Sequence, residues 1–309
     1  MKSIVKLVGP ILFILSGCVN ITEQSKSNES ESAKTTLSTA AVVAATTVTG
    51  TWYSMDAQAY DVAVGSRDWI YIINNAHNPY YWNWKYGSFR PGDPAGGSWV
   101  QMATVPGGIN RIASSEANVV AAIGVDGNVW RFNGNSWTNL GHPGCSGPLD
   151  LAISPSGVIS ITNVGGCAGY GGIYDWNGTT WLKYHEALSF DKVAPALTGG
   201  KVASQQLSQY TLKCYPDVWS TLTSQDLGGV DERQSHRTDN SYELWRTDKD
   251  GNIFYLYTGL FPNGTQDIVD SRWFQTNGRA SNIAASRRSE AVVIQGSGRY
   301  VYFSSEFTW

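Results

Sequence analysis

From about residue 50 onward the chain is filled by short runs of alternating apolar and polar residues, each closed by a turn dipeptide. The clearest is Val129-Trp130-Arg131-Phe132, followed by Asn133-Gly134-Asn135-Ser136 and then Trp137. Alternation puts successive side chains on opposite faces of an extended strand. Asn-Gly accepts the positive φ angles of a tight hairpin turn, so this segment predicts two antiparallel strands. The same order returns as Ile173-Tyr174-Asp175-Trp176-Asn177-Gly178-Thr179-Thr180-Trp181 and, with its turn altered, as Val301-Tyr302-Phe303-Ser304-Ser305-Glu306-Phe307-Thr308-Trp309. A second turn lies upstream, where Asp126-Gly127-Asn128-Val129-Trp130 matches Asp250-Gly251-Asn252-Ile253-Phe254. Two hairpins in series make a four-stranded antiparallel unit. Ahead of them stand short β-rich runs, Asp61-Val62-Ala63-Val64, Ile112-Ala113, Leu151-Ala152-Ile153 and Ile283-Ala284-Ala285, small enough for a crowded centre. Helical periodicity is nearly absent.

The closing tryptophan marks the repeat at Trp52, Trp99, Trp137, Trp181, Trp219, Trp273 and Trp309, with a mean spacing of about 43 residues. That period suits one propeller blade and exceeds leucine-rich or ankyrin units. The reading is an all-β chain folded as a six-bladed β-propeller of antiparallel four-stranded sheets. A leading Trp, an Ile-Ala or Val-Ala strand, an Asp-Gly turn, Val-Trp and an Asn-Gly turn before the next Trp together resemble the tectonin repeat. Val120 to Trp137 carries the resemblance best. The units ending at Trp219 and Trp273 depart from it, the first through Lys213-Cys214-Tyr215-Pro216 where a hairpin turn is expected, the second through an insertion around Leu260 to Arg272. Trp52 and Trp309 mark the same repeat position, so the last strand is expected to close the ring beside the first, with the terminus that supplies the outer strand left open.

The first 17 residues place Lys2 and Lys6 before the apolar run Leu7 to Leu15, the layout of a secretory signal. Leu15-Ser16-Gly17-Cys18 resembles the bacterial lipobox, which implies lipidation of Cys18 and an outer-membrane anchor facing the periplasm or the surface. Residues 18–48 are rich in Ser, Thr, Glu, Lys and Ala, without aromatics, and read as a disordered tether. The β-branched Thr39 to Val48 end is the alternative site of a first strand. Residues 49–309 form the propeller. With Cys18 assigned to lipid, Cys145 and Cys167 in one Gly-rich stretch are the favoured disulfide, and pairs using Cys214 remain open.

A net charge of −3 with only 15% charged residues provides no basic field for nucleic acid. The four histidines, His77, His142, His185 and His236, show no metal-ligand spacing and read as surface or loop residues. Asp248-Lys249-Asp250-Gly251-Asn252 begins like a calcium loop but lacks the closing glutamate. No catalytic residue, metal or cofactor is therefore expected. The thirteen tryptophans are the remaining chemical signal. Exposed indoles and phenols stack on the apolar faces of sugars. The tectonin resemblance likewise implies a lectin binding a glycan or lipopolysaccharide, with an envelope protein scaffold as the alternative. Candidate ligand residues are Trp69, Trp130, Trp176, Trp245 and the cluster Tyr80-Tyr81-Trp82-Asn83-Trp84, within which Tyr81, Trp82 and Trp84 stand out. On a strand, Trp82 and Trp84 share one face and Tyr81 and Asn83 the other.

Overall fold

The computed structural model describes residues 47–65, 69–85, 96–115, 117–143, 147–154, 156–163, 172–185, 192–195, 201–205, 211–215, 220–222, 232–236, 242–247, 250–258, 273–285, 291–304 and 307–308. The signal-like segment, Cys18, most of the tether, Cys145 and Cys167 lie outside the described residues.

Every described element is a β-strand or a turn. β1 (Thr47–Gly50) leads into the long β2 (Tyr53–Val64), whose second half is the inner strand of a first blade with β3 (Ile70–Asn74), β4 (Pro79–Trp84) and β5 (Gly97–Gln101). The second blade is β6 (Ile109–Ser114), β7 (Val120–Gly124), β8 (Val129–Phe132) and β9 (Trp137–Gly141). The third is β10 (Pro148–Ile153), β11 (Ile159–Asn163), β12 (Gly172–Trp176) and β13 (Trp181–His185). A fourth comprises β14 (Lys192–Pro195), β15 (Lys201–Gln205), β16 (Thr211–Tyr215) and β17 (Ser220–Leu222). A fifth comprises β18 (Glu232–His236), β19 (Tyr242–Thr247), β20 (Asn252–Thr258) and β21 (Trp273–Arg279). β22 (Asn282–Ala285), β23 (Ala291–Gln295) and β24 (Tyr300–Ser304) begin the last blade among the described residues, and the first half of β2 completes it. The Lys213-Cys214-Tyr215 segment that breaks the repeat is thus strand, inside β16.

The chain is a β-propeller. Each inner strand lies beside that of the next blade, from β2 through β6, β10, β14 and β18 to β22, and β22 returns to β2. Closure answers the question the sequence left open. The N-terminal segment supplies the outer strand, with Tyr53 and Ser54 paired to Phe303 and Tyr302. The C-terminal β25 (Phe307–Thr308) pairs instead with β1, which runs parallel to β21 on the edge of the fifth blade. Asn277 secures that edge: its Oδ1 accepts the Gly50 N–H at 3.0 Å and its Nδ2 donates to the Gly50 carbonyl at 3.1 Å.

The hydrophobic cores are the seams between blades. Ala63, Ile112, Val120 and Ala122 fill the seam between the first two, and Val62, Trp82, Val292 and Phe303 fill that between the last and the first. Small inner-strand residues let the sheets converge on the axis, while indoles fill the wider outer space. The marker tryptophans also stitch blades with a repeated hydrogen bond. The indole N–H of Trp99 donates to Met55 O at 2.8 Å, that of Trp137 to Ala103 O at 2.6 Å, and that of Trp181 to Leu140 O at 3.1 Å. Each acceptor lies three or four residues past the preceding marker, so repeat spacing in the sequence becomes a repeated seam contact.

Candidate functional site

The inner strands of the first three blades share one irregularity. Their registers shift between Ala59 and Asp61, between Ile109 and Arg111, and between Pro148 and Asp150, leaving Tyr60, Asn110 and Leu149 as the extra residues. A bulge bends a strand and re-aims the side chains beside it. The residues that follow, Asp61, Arg111 and Asp150, stand at one level of the ring, and Lys192 and Asn282 hold the matching register.

Asp61 is fully buried and acts as a clamp. Its Oδ2 accepts the Ile112 N–H at 2.8 Å, and its Oδ1 stands 3.5 Å from Arg111 Nη1 and 3.4 Å from Asn282 Nδ2. One carboxylate therefore holds three blades. Asp150 repeats the device at another seam, where its Oδ2 accepts the Val193 N–H at 3.0 Å. A buried carboxylate is tolerated when its charge is met by donors, as that of Asp61 is.

Chemistry of a different kind gathers at the end of the ring where the inner strands begin. There the turn between the second and third strands of a blade lies against the bulge. The turn repeats closely: the N–H of His77, Gly127 and Arg299 donates to the carbonyl of Asn74, Gly124 and Gly296 at 3.0, 3.0 and 3.1 Å. Its last residue is left-handed, with φ of 79° at Gly127 and 80° at Gly251 but also 61° at His77 and 54° at Arg299. Glycine adopts this conformation freely, whereas a residue with a Cβ loses about 1 kcal/mol. The first and last blades thus accept strain to place a histidine and an arginine where two other blades carry glycine. Such strain clusters at functional sites.

Both side chains converge on the bulged Tyr60. Arg299 Cζ lies 4.5 Å from the centre of the Tyr60 ring, a cation–π arrangement, and the His77 ring lies 5.2 Å away, tilted by 46°. Backbone bonds fix both turns, since Ala59 N–H donates to Arg299 O and Ile109 N–H to His77 O, each at 2.9 Å. His77 Nδ1 lies 3.0 Å from Ile109 O. A carbonyl can only accept, so Nδ1 carries a proton, and in the neutral ring Nε2 then carries the lone pair. The arrangement offers an oriented imidazole, a cation and a phenol ring at the end of the ring where the inner strands begin, its mouth.

Residue patterning marks none of the three: His77 reads as a surface or loop histidine, and neither Tyr60 nor Arg299 stands out in the sequence. A usable signal existed: aligning the second turn of each unit puts His77 and Arg299 opposite Gly127 and Gly251. Of the residues expected to bind ligand, Trp82, Trp84 and Trp245 are corrected, because they are only 5%, 6% and 0% exposed and their indoles are core. Trp82 packs edge-on to Trp84 and Trp99, and Trp84 to Phe303. Trp130 is half-buried and donates to Asp126 Oδ1 at 3.3 Å, and Trp176 lies tilted on its neighbour Trp181. Among these residues only Trp69 is exposed, at 39%, and it lies stacked on Tyr71 and 5.3 Å from half-buried Tyr81.

No protein-family model and no curated protein matches this sequence. Solved propellers do match in fold. A protein described as a gluconolactonase aligns with TM-score 0.55 at 11% identity over 84% of this chain and 93% of its own. Regucalcin from Agrobacterium tumefaciens, described as calcium-binding, aligns with TM-score 0.53 at 12% identity over 85% and 96%. The pyrroloquinoline quinone-bound aldose sugar dehydrogenase of Streptomyces coelicolor aligns with TM-score 0.53 at 11% identity over 84% and 98%. These likenesses support the propeller and not specifically the tectonin repeat. They also correct the expectation of a non-catalytic lectin, with its scaffold alternative, since the solved propellers that match are described as a gluconolactonase, a calcium-binding protein and a sugar dehydrogenase.

Proposed function

We propose that this chain is a small-molecule hydrolase, opening an ester or lactone bond at the mouth between the last and first blades. The observation that carries the reading is His77. Its Nδ1–H bond to Ile109 O leaves the Nε2 lone pair as the oriented base, and its left-handed backbone is held where glycine would be easier. In this scheme Nε2 takes a proton from water, and the resulting hydroxide attacks the acyl carbon. The leaving alkoxide recovers the proton from the imidazolium. Arg299, across Tyr60, offsets negative charge on the reacting group. A positioned base of this type contributes roughly 10² to 10⁴ in rate.

The solved propeller described as a gluconolactonase supports the same chemistry, as a likeness of fold. The calcium-binding reading draws less support, because among the described residues no three His, Cys, Asp or Glu side chains come together. The quinone of the sugar dehydrogenase is a property of that protein. Lipidation at Cys18 belongs to this proposal too and would place the enzyme in the bacterial envelope, its repeats being a divergent tectonin-like set.

Acid release from a panel of sugar lactones and simple esters tests the reading, with His77→Gln beside the unaltered chain. Turnover by the unaltered chain and a fall of roughly 100-fold or more in kcat are expected. Equal rates in both proteins, or no turnover on any member of the panel, would sink it.

A further inference from the structure

Within the hydrolase reading, we infer that the substrate is an anion, its carboxylate received by Arg299 while His77 addresses the acyl bond. Three observations lead there. First, Arg299 occupies a left-handed turn position at φ 54° whose counterparts in two other blades are glycines, so the turn itself has no need of arginine. Second, the cations of this end differ in what they face. Arg111 is already turned to the buried Asp61, at 3.5 Å, and its charge is answered inside the ring. Arg299 is exposed, faces the flat of Tyr60 rather than a carboxylate, and among the described residues makes no ion pair.

Third, among the described residues no carboxylate forms an ion pair with that charge. Burial keeps Asp61 inside the ring, and His77 donates through Nδ1 to a backbone carbonyl. A guanidinium stacked on an aromatic face keeps its N–H edge for a planar acceptor, and a carboxylate matches that edge with two parallel bonds. Arg299 Cζ and the His77 ring lie 4.5 and 5.2 Å from the centre of the same Tyr60 ring, so cation and base share one aromatic platform. The molecule that fits carries a carboxylate at one end and an ester or lactone toward the other.

Binding separates this inference from turnover. The full chain is titrated with gluconate and, in parallel, with sorbitol, its uncharged counterpart, while tyrosine and tryptophan fluorescence is followed. Gluconate should bind at least roughly tenfold more tightly. Arg299→Gly should abolish that preference and raise the thermal midpoint, because glycine relieves the turn, whereas Arg299→Lys should retain part of the preference. Equal binding of the two polyols overturns the inference. So does a preference that survives Arg299→Gly, or one lost together with a lowered midpoint, since that marks the arginine as structural. A preference for gluconate without turnover of any ester sinks the hydrolase and leaves the anion site, whereas turnover without the preference does the reverse.

Discussion

The seams between blades and the mouth between the last and first blades are built from the same repeat and use it in opposite ways. At the seams the repeat is kept: in each of the first three blades a marker tryptophan sets its indole N–H on a carbonyl ahead of that blade, at Met55, Ala103 and Leu140 in turn. At the mouth the backbone is kept and the residue changes, glycine at positions 127 and 251 but histidine at 77 and arginine at 299. A position that must carry load tolerates little variation, while a turn that holds its shape through backbone bonds can be given a side chain for another purpose. Damage to a seam should therefore cost stability, and damage to the mouth should cost turnover and recover stability.

Asp61 offers the largest effect and the severest trial of that contrast, because it lies where seam and mouth meet. Asp61→Ala would leave the buried Ile112 N–H without its acceptor and Arg111 and Asn282 without their common partner. A loss of about 3 kcal/mol is expected in urea unfolding, discounted from a fully buried pair because the Arg111 side chain is 23% exposed. Asp61→Asn keeps an oxygen for Ile112 and should lose under half as much. If the alanine variant instead unfolds like the unaltered chain while turnover disappears, Asp61 belongs to the mouth and the division fails.

The seams were legible in the sequence because packing and periodicity write themselves into residue type. Tryptophan at a mean spacing of about 43 residues, Asn-Gly at 133 and 177, and Asp-Gly at 126 and 250 located blades and turns before any strand was placed. The mouth was much less legible. Its residues come from distant parts of the chain, and Tyr60 is aimed by a bulge that leaves no mark in an alternating pattern. The aromatic signal misled for a related reason: the density of indoles reflected the wide outer seams, so Trp82, Trp84 and Trp245 became core. Ring closure was half readable. Trp52 shared the repeat position, but pairing alone decided that the N-terminal strand completes the last blade.

Exchanging residues between the two kinds of turn gives a middle-sized effect with a sign on each side. His77→Gly should stabilise by up to about 1 kcal/mol, since it removes a Cβ from a left-handed turn, while abolishing turnover. Gly127→Ala should destabilise by about 1 kcal/mol through backbone strain alone, its nearest neighbour being Gly147 Cα at 3.5 Å. Gly251→Ala should be the costlier of the two, because the new Cβ would meet Ala280 O at 3.2 Å. Thermal midpoints of the three variants rank them directly. A destabilised His77→Gly would mean that the imidazole is structural, and the contrast between turns would go with it.

The smallest effect tests a seam by titration. Burial, only partly countered by a hydrogen bond with Ser114 and added to by neighbouring Tyr81, pushes the Tyr71 hydroxyl up to about 12 from its ordinary 10. The folded protein therefore holds that proton over a range in which the unfolded chain has released it. By linkage this contribution is fully present below pH 10 and is lost as the pH climbs toward about 12. Tyr71→Phe should cost under about 1 kcal/mol at neutral pH, as one hydrogen bond is removed. Its unfolding midpoint should then fall less steeply than that of the unaltered chain between pH 10 and 12. The remaining tyrosines titrate in both proteins, so the difference between the two curves isolates Tyr71. Because Tyr71 lies in the seam and not at the mouth, the same substitution should leave turnover at neutral pH unchanged, and a large loss of activity would show that the two regions are coupled through the first blade.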